Sequence, residues 1–299
     1  MKAENSYPQF DERSIQYGLS AQLNGILTRP TVEYSATRPC LVILNAGILH
    51  KTGPNRLHVR LAREASQNGL AAFRFDFAGV GDSPPRNDGK TLADGVLIDI
   101  AETLDLLEAK IGAKRFILAG LCSGADNSLR AARRDHRIVG AALLDPTVHR
   151  TPRWYARHYL RRAIDSQRLQ KFFTLEHPAW KNLRNLRTLI SRQTQDKERP
   201  DLFRTGLSEK QEIAVHIAEA TGRGCHLFYG FTGGWEDYYN YPDQLRELYP
   251  DLIQPPHVLV RHYPETGHTF KSAEHRQRLI DDLIHWFDQV DHHISSSRP

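Results

Sequence analysis

Residues 119–126 read AGLCSGAD. The apolar run RFILAGL, residues 115–121, passes straight into CSGADNSLRAARR, which has the composition of a helix start. A strand that turns sharply into a helix holds its central residue in a strained backbone conformation, so the residues two before and two after must be small. Gly120 and Gly124 satisfy that around Cys122. Centring the turn on Ser123 puts Leu121 and Ala125 at those positions, and leucine is the wrong size. The stretch therefore predicts a turn that presents Cys122, with Ser123 contributing its backbone amide and only incidentally its hydroxyl.

Outward from this turn, short runs rich in Val, Ile, Leu and Phe alternate with segments of helical period, the pattern of a mostly parallel sheet flanked by helices. Strands are expected at 39–45, 70–76, 115–121, 138–144, 225–230 and 257–263, and helices at 55–68, 91–110, 124–134 and 273–290. An antiparallel pair is expected near 14–28, with LNG (residues 23–25) offering turn chemistry. The alternation breaks between 147 and 222. The expected architecture is an α/β core, residues 1–146 and 223–299, interrupted by an inserted basic helical cap, residues 147–222.

Composition narrows the class. A chain of 299 residues, 40% hydrophobic and 25% charged, is long enough for one large α/β domain with an inserted lobe. No run approaches the roughly 20 apolar residues of a membrane span, and the first residues lack a signal-peptide core, so a cytoplasmic protein without a membrane span is expected. The cysteines Cys40, Cys122 and Cys225 are odd in number and widely spaced, which predicts free thiols and no metal knuckle. Residues 150–204 carry 14 Lys/Arg against 5 Asp/Glu, although the whole chain is only +5. Such a surplus suits an anionic partner or a solvated helical face. No nucleic-acid reading motif accompanies it, so no nucleic-acid partner is expected.

Four stretches in order resemble the α/β-hydrolases: the loop NAGILH after the first strong strand, the turn DFAGVGDS, the elbow GLCSG, and PETGHTF before the last helix. In finer detail they resemble a bacterial subgroup with a GxCSGA elbow and an inserted cap, found among genes for surface polysaccharide export and secondary metabolism. The resemblance implies an α/β-hydrolase fold, with Cys122 as nucleophile and His268 as general base and acid. The oxyanion hole would come from the backbone N–H of Ser123 and of Gly47 or Ile48. Asn45 stands where the family's loop has a histidine. The family's acid after the strand beyond the insertion is missing, because the third position after Gly230 is Gly233. Asp237 is favoured in that role for its shorter arm, with Glu236 and Asp145 as alternatives. Asp76 and Asp82 are expected to fasten turns.

A cysteine nucleophile at a helix N-terminus beside an imidazole favours the thiolate. Its acyl-enzyme is itself a thioester, so exchange with a thioester donor is nearly thermoneutral. Cysteine-centred relatives of this fold, the dienelactone hydrolases and polyhydroxyalkanoate synthases, span lactone hydrolysis and acyl transfer from coenzyme A. The expected function is hydrolysis or acyl transfer on a thioester or activated ester, by a Cys-His-Asp triad and without a cofactor. The substrate would be free or carried on coenzyme A or an acidic carrier protein. The competing reading is a catalytically lapsed hydrolase fold acting as a binding or scaffold module.

Overall fold

The computed structural model describes residues 10–31, 35–164 and 209–296. The chain divides into two compact units, Met1–His149 with Phe203–Pro299, and Arg150–Leu202.

The first unit is built on strands β1 (Phe10–Tyr17), β2 (Leu23–Pro30), β3 (Cys40–Ile43), β4 (Ala72–Asp76), β5 (Phe116–Leu121), β6 (Ile138–Leu144), β7 (His226–Thr232) and β8 (Val258–Tyr263). They form one sheet in the order β1-β2-β4-β3-β5-β6-β7-β8. β1 and β2 are antiparallel, and β2 pairs antiparallel with β4. The other pairings are parallel.

Strands such as CLVI and FILAGL are apolar without alternation because helices cover both faces of the sheet. On one face Val42, Phe73 and Leu118 pack with α2 (Leu92–Ile111) and α3 (Ser123–Arg134). On the other, Leu41, Ile43 and Ile117 pack with α1 (Leu57–Gln67) and the C-terminal helix Ala273–Ser296. Every crossover from β5 onward returns the chain in the same direction. The carboxyl ends of β5, β6, β7 and β8 therefore lie side by side, and loops from adjacent strands meet there.

Two expectations are corrected. The antiparallel pair is present, but LNG is not its turn: Leu23, Asn24 and Gly25 begin β2, and the chain reverses over 18–22 around Gly18, at φ 110°. Gly25 is a packing glycine, since a Cβ there would strike the Phe73 ring. The segment assigned to the cap through residue 222 also includes a helix of the first unit, Lys210–Gly222. Its Ile213, Ile217 and Ala220 lie in the core. That i, i+4, i+7 stripe is blurred by Ala214, Val215 and Ala218 on the remaining faces, which is why the sequence hides it.

The second unit contains α4 (Pro152–Ile164), which precedes this helix in the chain and makes it α5. Thr151 Oγ1 accepts from Trp154 N–H at 3.1 Å at the start of α4, and Trp154 stacks on His158 with centroids 4.5 Å apart. Most of the expected basic cap, residues 165–208, lies outside the described residues. The last helices are α6 (Gln244–Leu248) and α7 (Ala273–Ser296).

Candidate active site

Cys122 stands between β5 and α3 with φ 57° and ψ −122°, a conformation that side chains seldom adopt. Two close approaches hold it there. A Cβ on Gly120 would collide with the backbone of Gly124, and a Cβ on Gly124 would collide with the carbonyl oxygen of Asn45. The requirement for small residues at −2 and +2 therefore has a visible cause on each side. Cys122 N–H donates to Leu144 O at 2.8 Å, which ties the turn to β6. Cys122 is half-buried, whereas Cys40 and Cys225 are buried. Burial pushes the Cys225 thiol up to about 12 and Cys40 higher still, so both are inert packing residues.

The residue after β6 is Asp145, fully buried and at φ 45°. Its carboxylate is held by β7: Oδ1 accepts from Thr232 N–H and Oδ2 from Thr232 Oγ1, both at 2.7 Å. Oδ2 also meets His268 Nδ1 at 2.7 Å. Asp145 N–H donates to Gly230 O at 2.8 Å and continues the ladder. Asp126, in the first turns of α3, accepts from Thr147 N–H at 2.8 Å and from Thr147 Oγ1 at 2.7 Å, so the elbow helix grips the loop that carries Asp145.

His268 sits beyond β8 with its side chain 28% exposed. Burial alone would lower its pKa, but hydrogen bonds and charge from Asp145 and Cys122 outweigh burial and raise it to about 9. Asp145 occupies Nδ1, which leaves Nε2 for the cysteine. Trp235 stacks on the imidazole, with centroids 4.7 Å apart and planes 16° apart, and its Nε1 donates to Pro146 O at 3.2 Å. The indole thus joins the histidine loop to the aspartate loop.

Of the three candidate acids, Asp145 is the one whose carboxylate meets His268 Nδ1, and the favoured Asp237 is not among the groups that shift the ring. The cause is packing after β7. A Cβ on Gly233 would collide with Pro264 O, and a Cβ on Gly234 with His268 N, so the histidine loop leaves no room for a side chain at the expected position. The first side chain that fits is the Trp235 ring. The sequence signals for these contacts are slight: a lone aspartate closing an apolar strand in LLDP, and the paired glycines of FTGGW that mark a close backbone approach. Thr147, Thr232, Asp126 and Trp235 were missed because tertiary placement alone gives them their partners.

The loop after β3 departs from expectation at one donor. Gly47, at φ 58°, donates its N–H to Ser123 Oγ at 2.9 Å. Ile48 is 71% exposed on the same loop. Ser123 is the first residue of α3, where an N–H has no intrahelical acceptor. Asn45 accepts from Phe77 N–H at 2.8 Å and donates to Asp76 Oδ1 at 2.9 Å and Leu49 O at 2.7 Å. It thereby fixes the loop without a titratable ring. Asp76 accepts from Lys51 N–H at 2.6 Å and Asp82 N–H at 3.0 Å, the turn-fastening role expected of it. His50, Asp76 and Asp82 have the composition of a cation site. Lys51 Nζ already fills it, at 2.9 Å from His50 Nε2 and 2.7 Å from Asp76 Oδ2 and hydrogen-bonded to Asp82, so its own ammonium takes the place of a metal ion.

No family model and no curated protein matches the chain. Solved structures do match its fold. A proline iminopeptidase from Mycobacterium smegmatis aligns over 94% of this chain and 99% of its own, at 16% identity and TM-score 0.58. An esterase from Pyrococcus furiosus aligns over 96% and 95%, at 14% and 0.59. A hypothetical protein from Pseudomonas aeruginosa aligns over 95% and 94%, at 14% and 0.60. At these identities the likeness carries the fold, and the fold is that of the α/β-hydrolases.

Proposed function

We propose that the protein is an acyl-group hydrolase or acyltransferase that works through Cys122, His268 and Asp145 on a thioester or activated ester. The observation that carries the reading is the line of contacts from Asp145 Oδ2 through His268 Nδ1, 2.7 Å away, to the cysteine on its strained turn. A carboxylate that orients an imidazole beside a presented nucleophile is the arrangement that acyl transfer needs.

In the first half-reaction the Cys122 proton passes to His268, and the sulfur forms a bond to the carbonyl carbon. The carbonyl π pair moves onto oxygen. When that oxyanion collapses, the bond to the leaving group breaks, and the leaving group takes the proton back from His268. The acyl-cysteine then yields to water or another acceptor activated by the same imidazole, which regenerates the thiol. Thioester donors suit this cycle, since one thioester is exchanged for another. The 14 Lys/Arg of residues 150–204 are the reason to extend the proposal to donors carried on coenzyme A or an acidic carrier protein. The binding-module alternative drew on Asn45 and the absent acid after β7. Asn45 keeps the loop hydrogen-bonded and Asp145 meets His268, and both contacts support the enzyme reading over the binding module.

The test is to incubate the protein with a short-chain acyl thioester, read intact mass for a single acyl adduct and map the adduct by peptide sequencing. The expected result is acylation of Cys122 that disappears in Cys122→Ala. An adduct mapped to Ser123, or none with any thioester or activated ester, overturns the proposal.

A further inference from the structure

The hydrogen bond from Gly47 N–H to Ser123 Oγ bears on where an oxyanion can sit. At 2.9 Å the serine oxygen lies at the distance an oxyanion would keep from that amide. The two cannot share the place, so the Gly47 amide is not available to substrate while Ser123 keeps its position. A hydroxyl that accepts one hydrogen bond still has a proton to donate. Among the described residues nothing accepts the Ser123 proton, although Ser123 is only 2% exposed. A buried donor without an acceptor is unfavourable, and a native structure that keeps one usually has a use for it.

We infer that the Ser123 hydroxyl is itself an oxyanion donor: Gly47 N–H donates to Ser123 Oγ, and Ser123 Oγ–H donates to the substrate oxygen beside the Ser123 backbone N–H. This rests on the acyl chemistry proposed above and adds a catalytic residue to it. A chain of two hydrogen bonds polarises in one direction, so the amide strengthens the hydroxyl as a donor when negative charge appears. The location at the N-terminus of α3, a helix of 12 residues, favours negative charge at the same point. No proton is transferred along the chain. Ser123 acts by hydrogen bond alone, and Cys122 remains the atom that attacks.

Two reactions of the same thiol separate this role from packing. Acylation by p-nitrophenyl acetate builds an oxyanion, whereas alkylation by iodoacetamide displaces iodide at carbon and builds none. In Ser123→Ala the acylation rate of Cys122 should fall about 100-fold, the cost of one oxyanion donor, while the alkylation rate stays within about threefold of wild type. Ser123→Thr, which keeps a hydroxyl, should acylate within about tenfold of wild type. Acylation in Ser123→Ala that equals or exceeds wild type overturns the inference, because the hydroxyl would then be a plug whose removal frees the Gly47 amide. Acylation and alkylation that slow together, or Ser123→Thr as slow to acylate as Ser123→Ala, also overturn it, since both mark a packing role. A wild-type protein that alkylates readily but never acylates fails at the proposed function itself.

Discussion

Cys122 and Asp145 both hold positive φ without being glycine, at 57° and 45°, and they close neighbouring strands. Such conformations cost about 1–3 kcal/mol each and persist only where surrounding contacts impose them. At Asp145 those contacts are the Gly230 carbonyl and the two Thr232 donors, which leave Oδ2 aimed at His268. The consequence is tested by replacing each candidate acid. In Asp145→Asn the amide can present an N–H where His268 Nδ1–H also donates. The ring must then turn or change tautomer, placing a proton on Nε2 where the cysteine proton should go. Acylation should fall about 10³- to 10⁴-fold, as for a serine-protease aspartate changed to asparagine. Asp237→Asn should stay within about threefold, the range of a substitution away from the working groups. Single-turnover kinetics check both, and a larger loss at Asp237 than at Asp145 would return the role to Asp237.

At the scale of elements, the site depends on how closely α3 approaches the loop after β3. A Cβ on Gly124 would meet the Asn45 carbonyl, so Gly124→Ala must push the helix start away from the segment that Asn45 fixes. Overpacking of this kind costs about 1–3 kcal/mol. Urea denaturation should show that loss, and Cys122 acylation should fall with it. A variant as stable and reactive as wild type would mean that the approach is not needed. This turn was legible in the sequence because its constraint is local: five consecutive residues carry both the strain and the glycines that relieve it. The parallel strands were legible because burial on both faces makes them uniformly apolar. The carboxylate that meets His268 was not, because the Pro264 carbonyl and the His268 backbone crowd Gly233 and Gly234 from a distant loop and leave Asp145 as the contact. Asn24-Gly25 misled for a similar reason, since Phe73 on the neighbouring strand takes the glycine for packing.

Across the whole molecule, buried histidines shape opposite limbs of the stability profile. His58 and His226 are 3% and 5% exposed, and burial lowers each to about 4. Charge from Arg74 assists at His58, and charge from His257 and His293 at His226. A histidine depressed from 6.5 stabilises the fold above the unfolded value and loses that contribution as pH falls toward 4. His268 has the opposite sign. Raised from 6.5 to about 9, it contributes fully below 6.5 and loses the contribution as pH rises through 9. Asp99, raised by burial from 3.8 to about 6, contributes below 3.8 and loses stability as pH rises through 6, so it offsets part of the histidine loss between pH 4 and 6. At about 1.4 kcal/mol per pKa unit each histidine is worth up to about 3 kcal/mol over its window. Urea unfolding should therefore give greatest stability near pH 7, with losses on both sides. His268→Gln should flatten the alkaline limb and leave the acid limb intact, while His226→Gln should flatten part of the acid limb only. Each variant also loses packing, which shifts its curve by a constant, so the change in slope is the diagnostic. Curves that run parallel to wild type at all pH values would show that neither histidine changes its proton affinity on folding.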